Sequence, residues 1–119
     1  MRRLVEENLS AFDDSIARLK WLGEHIEVYV DRWVAFHTAN DIPMSALLGS
    51  NFFTVIAVAS DVMRNELGTV QADRRVNEAY KRFAEELLRV ANLEERESTE
   101  QLVALAGELR VAVHDWVVR

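Results

Sequence analysis

At 119 residues, with a net charge of −6 and no cysteine, the chain has the size of one domain that buries its own core. A disulfide framework, a thiolate nucleophile and a Cys-ligated metal are excluded. The acidic balance argues against a general nucleic-acid binder, which needs cations to displace counterions from phosphates.

Half of the residues are apolar, against one proline and four glycines. So little turn material predicts an all-α chain. Twelve of the fourteen cations are arginine, which we read as composition rather than function. The opening Met1 to Glu7 does not read as a signal peptide, because its apolar residues are periodic and acids follow at once. The longest apolar-rich run, Phe52 to Ala59, is too short to span a bilayer. The expectation is a cytoplasmic protein without membrane association.

The first predicted helix runs from about Arg3 to about Ala39. Val5, Leu9, Phe12, Ile16, Leu19, Gly23, Ile26, Val30, Trp33 and His37 follow each other at steps of four and three. That spacing lays one stripe along one helix face and asks for a closely aligned partner helix. Leu4, Leu22, Tyr29, Val34 and Phe36 widen the stripe, which suits a bundle. Unbroken, this helix would be roughly 55 Å long. Ser10 with Asp13 resembles an internal capping pair, which would start a separate segment. Gly23, on the seam itself, either lets a neighbouring backbone approach or marks a bend.

Asn40-Asp41-Ile42-Pro43 breaks the pattern, since proline suits the first turn of a new helix and the residue before it resists helical geometry. Helix 2 then runs to about Leu67. Gly49-Ser50-Asn51 offers an interruption, which would make five helices, the short one near Pro43 to Leu48. Seven of the eight residues from Phe52 to Ala59 are apolar, so this helix is expected to be covered on several sides. A strand is rejected because no other segment could pair with it.

Gly68-Thr69 is read as the end of helix 2 and the cap of helix 3. Helix 3 carries Val76, Tyr80, Phe83, Leu87 and Val90, with mixed charges on its outer face. Asn92 to Glu97 is a charged connection. Ser98 with Gln101 reads as a capping box. Helix 4 then carries Leu102, Leu105, Leu109, Ala112 and Trp116. The whole predicts one domain, 1–119, as an antiparallel four-helix bundle with a long heptad-patterned first helix.

Two excesses point to association. Helix 1 would overhang its neighbours by ~20 Å, and helix 2 is more apolar than one bundle position can bury. The expectation is a homodimer or a complex with a protein partner. Phe52, Phe53, Ile56, Val30, Trp33 and Trp116 are the candidate interface residues. Asp61, an acid in the most apolar helix, needs a partner such as Arg64 if it is buried.

Little else carries chemistry. Di-iron bundles need Glu-x-x-His pairs, and His25, His37 and His114 have no glutamate three residues before them. Glu24 with Glu27 is similar to half of the MazG-type pyrophosphatase motif, whose second half is missing here. His25 lacks the lysine and small residues that follow a phosphotransfer histidine. Trp21-Leu22-Gly23 resembles the W-x-G of small secreted hairpins, but it falls mid-helix. No cofactor or metal is expected.

Arg32-Trp33-Val34-Ala35-Phe36-His37 resembles the R-x4-6-H motif of HEPN-domain ribonucleases. The resemblance implies a helical dimer in which Arg32 and His37 of two chains cleave RNA. It covers six residues, and Trp33 stands where that family has a polar residue. The favoured expectation is a small acidic, non-enzymatic protein–protein interaction module, or a subunit of a larger complex, acting through an apolar helix face. HEPN-like cleavage by Arg32 and His37 is the alternative, and carriage of a small apolar ligand between helices 1 and 2 is a third.

Overall fold

Four stretches of helical periodicity form four α-helices in a computed structural model that describes residues 14–92 and 98–118. They are α1 (Ser15–Asn40), α2 (Asn51–Val70), α3 (Arg74–Ala91) and α4 (Glu100–Val117), and a 3-10 turn, Met44–Leu47, lies between α1 and α2. No strand occurs among the described residues. None of their helices is long and apolar enough to cross a membrane.

α1 starts later than the periodicity predicts. Asp14 is extended, at φ −106° and ψ 126°, and its carboxylate accepts from the Ile16 N–H. A residue in that conformation ends the helical ladder, so the 55 Å helix does not form as one piece. The 26 residues of α1 span ~39 Å, which removes the overhang within the described part. Val5, Leu9, Phe12 and the Ser10–Asp13 pair lie outside the described residues. At its other end α1 closes on Asp41, a left-handed residue (φ 51°) whose N–H bonds to the His37 carbonyl.

Gly23 does not break α1. A Cβ there would meet the Arg110 Cα and Met63 Cε at 3.7 Å and the Val113 Cβ at 3.9 Å. The missing side chain therefore faces the backbone of α4. One turn along, the space beside Gly107 of α4 is occupied by a Glu27 carboxylate oxygen, 3.5 Å from where a Cβ would stand. The same carboxylate pairs with Arg110. Small residues on both helices let α1 and α4 close on each other here.

The predicted break near Gly49 is present. Ser50 caps α2, its hydroxyl accepting from the Phe53 N–H at 3.2 Å. α2 does not stop at Gly68-Thr69. It continues to Val70 and ends on Gln71 at φ 52°. The Thr69 hydroxyl bonds back to the Asn65 carbonyl, so it extends the helix instead of capping the next one. Asp73 performs that role, accepting from the Val76 N–H at 3.0 Å. The capping box at Ser98 is also displaced by one residue. Thr99 is the cap position, without a side-chain bond, and Ser98 Oγ accepts from the Glu100 N–H at 3.4 Å.

α1 packs against both α2 and α4, and α3 packs against α4. Leu19, Leu22, Ile26, Val30 and Trp33 of α1 are fully buried. At about 2 kcal/mol each, their burial outweighs the half-exposed ion pairs, worth ~0.5 kcal/mol apiece. Arg18 near the start of α1 bonds Glu66 near the end of α2 at 3.0 Å, while Trp33 near the end of α1 meets Phe53 near the start of α2 at 5.0 Å between ring centroids. Arg75 and Arg82 of α3 reach Asp115 and Glu108 of α4 at 2.8 and 3.3 Å.

Gly23→Ala is expected to stabilise the fold. Its methyl lands at ordinary contact distance, and alanine is favoured in a helix interior by about 0.8 kcal/mol. The expected gain in Tm is ~3–5 °C by calorimetry; a loss would show that α4 cannot accept the added methyl.

Candidate interaction surface

The six candidate interface residues do not share a face. Val30, Trp33 and Ile56 are fully buried in the chain's own core, so in this fold they offer no surface to a partner. The heptad spacing of helix 1 and the apolar run of helix 2 marked them as residues that leave water but did not say which neighbour covers them. Trp116 packs half-buried near the end of α4, beside the Asp115 that holds the start of α3. Phe52 and Phe53 sit half-buried at the other end, where α2 begins. They are adjacent in sequence and turn to opposite flanks of α2.

Phe52 belongs to an aromatic row along the α1–α2 border. Trp21 stacks on His25 at 3.7 Å, and His25 lies 6.5 Å from Tyr29. Tyr29 and Phe36 lie 6.3 and 6.1 Å from Phe52. Trp21, His25 and Tyr29 are spaced by four, so they stack along one helix edge. Arg32 sits over the Tyr29 ring at 5.3 Å. None of these rings except Phe36 is more than partly exposed.

Phe53 belongs to a groove on the other flank, between α2 and α3. These two helices approach each other less closely than the other neighbouring pairs. Tyr80 bridges the gap, its hydroxyl donating to the Ser60 carbonyl at 2.8 Å and lying 3.0 Å from Ser60 Oγ. Beside this bridge is a cavity of about 260 Å³ with a floor of Phe53, Ala57, Ala84, Leu87 and Ala91. Leu88 stands on its edge, 68% exposed, more than any other large apolar residue described. Asp61 and Arg64 form the polar rim. They pair with each other at 2.8 Å while remaining 63% and 68% exposed. Asp61 is thus a surface acid with the partner its spacing suggested.

A second, wider depression of about 680 Å³ lies between α3 and α4. Its rim carries Arg74, Arg75 and Arg82. Each is already bonded to an acid, Glu78, Asp115 and Glu108 respectively. Among the described residues of that rim, no uncompensated positive charge is left for an anion.

Arg32 and His37 are not brought together within the chain. Arg32 is on the exposed side of α1, whereas His37 is 2% exposed. His37 Nδ1 donates to the Ile42 carbonyl, which ties the end of α1 to the loop that follows. The Trp33 indole N–H, one turn earlier, is buried without a hydrogen-bond partner among the described residues. Such a donor costs about 1–3 kcal/mol. Among the described residues, no group of three or more His, Asp or Glu could hold a metal ion.

No family model, no curated protein and no solved structure matches the chain.

The Leu88 groove escaped the sequence reading. Leu88 follows Leu87, a seam residue, and lies off the four-and-three spacing of helix 3. The signal was the set Ala57, Ala84 and Ala91, small residues that leave a hollow where two helices should meet.

Two stability outcomes are expected. Tyr80→Phe removes both contacts to Ser60 and should cost about 1–2 kcal/mol in urea denaturation, because it loosens the α2–α3 gap. His37→Ala should cost about 2 kcal/mol through lost packing and a lost loop tie. RNA turnover by the purified protein, measured alongside, should not separate this variant from the parent.

Proposed function

We propose that the chain is a non-enzymatic protein–protein interaction module whose working surface is the apolar groove between α2 and α3. The observation that carries this is Leu88, a large apolar side chain left in water at the edge of a hollow floored by apolar residues. Exposed single apolar residues are ordinary, whereas one beside an apolar hollow is the geometry of a binding anchor. A helix face laid along the groove would cover both.

The antiparallel four-helix arrangement and the single-domain organisation are part of this proposal. The end-to-end pairings Arg18–Glu66, Trp33–Phe53 and Arg75–Asp115 support the arrangement. Phe53 remains an anchor in this proposal; Leu88 takes the place of the buried Ile56.

A photoreactive amino acid at Ala57 or Arg64 should give covalent protein adducts in extract of the native host. The same group at Glu24, on the exposed side of α1, should give none. Equal adducts from all three positions would overturn the assignment of the groove.

A further inference from the structure

We propose that the groove between α2 and α3 is a self-association surface, in which Leu88 of each copy enters the groove of the other about a two-fold axis. The inference rests on the interaction-module reading and names its partner as a second copy of this chain.

A two-fold interface sets each surface patch against itself, so one patch must carry both a projection and a matching hollow. Here they are neighbours. Leu88 projects from α3, and the hollow of about 260 Å³ beside it is kept open by Ala57, Ala84 and Ala91. A leucine side chain has room there, with Phe53 and Leu87 to contact. An axis passing close to Leu88 places each Leu88 over the other copy's groove.

Charge points to the same occupant. Two chains of charge −6 repel wherever acids dominate both faces. The groove is an exception, since its lining carries one acid and one base, Asp61 and Arg64. Both are about two-thirds exposed and are paired with each other at 2.8 Å. Such a pair is weak in water, so it exchanges partners at little cost. A two-fold axis that runs along the groove from Leu88 past this pair sets Asp61 of one copy near Arg64 of the other and the reverse. The rim is complementary to its own rotated image, whereas a strongly basic or acidic partner would leave one of the two groups opposed.

The patch is narrow, so the dimer is expected to be weak, with Kd of ~1–100 µM. The test is sedimentation equilibrium of the full purified chain from low micromolar to submillimolar concentration. The parent should show a monomer–dimer equilibrium. Leu88→Glu should weaken it by ~100-fold, because the change occurs twice per dimer. Its circular dichroism and Tm should match the parent's, since Leu88 is exposed. Asp61→Arg sets like charges together and should weaken the dimer, and adding Arg64→Asp should restore it, because the reversed pair is again complementary to itself.

A parent that stays monomeric throughout overturns the proposal. So does a dimer that Leu88→Glu leaves unchanged, which would place self-association on another face. The photocrosslinking in extract separates these failures from failure of the interaction-module reading. Adducts with a different protein, from Ala57 or Arg64 of a monomeric chain, would keep the module and remove the second copy as its occupant.

Discussion

Everything in the fold depends on α1 having two neighbours. Its buried stripe takes α2 along one border, through Trp33 on Phe53 and Arg18 on Glu66. It takes α4 along the other, through Gly23 and Glu27 against Arg110. A helix holding two partners needs an apolar arc wider than a coiled-coil seam. Leu22, added to the strict series, supplies that width and is fully buried. The close approach to α4 rests on an absence: a Cβ at Gly23 would already stand 3.7 Å from the Arg110 Cα and 3.9 Å from the Val113 Cβ.

Once α1 and α4 form the spine, the outer helices are set apart. α2 rests on α1 and α3 rests on α4. Their own seam is left thin, and a phenol bridges it. Tyr80 suits this place because it has an apolar body and a polar tip, and Ser60 supplies both a carbonyl and a hydroxyl to it. The apolar excess of α2 is therefore distributed, not buried in one place. Val55, Ile56, Ala59 and Met63 enter the core, Phe52 joins the aromatic row, and Phe53 with Ala57 is left to the groove.

The helices were legible because 3.6-residue periodicity survives in any context that buries one face. The core positions Leu19 to His37 of α1 were legible for the same reason, and all six on the spacing are buried. Boundaries were less so. Periodicity carries across Asp14, but the carboxylate bond to Ile16 N–H outcompetes continuation of the helix. At Gly68 the glycine looked like a stop, yet the chain turns at Gln71, a residue that rarely adopts a left-handed conformation. The candidate site was the least legible. Apolar patterning shows that a side chain prefers to leave water and does not say whether this chain or another covers it. Val30, Trp33 and Ile56 are covered by their own chain, and Leu88 is not.

Phe53 is the residue that core and groove share. Its ring lies 5.0 Å from the Trp33 ring on one side and floors the groove on the other. Trp33 is fully buried, and its indole N–H has no partner among the described residues. An indole in that setting emits at short wavelength, and its emission responds to small displacements of the rings around it. The chain thus carries an optical reporter one aromatic ring beneath the groove that Leu88 edges. A partner that displaced Phe53 from the groove side would shift the emission of Trp33, read over that of Trp21 and Trp116, without a label and without unfolding the core.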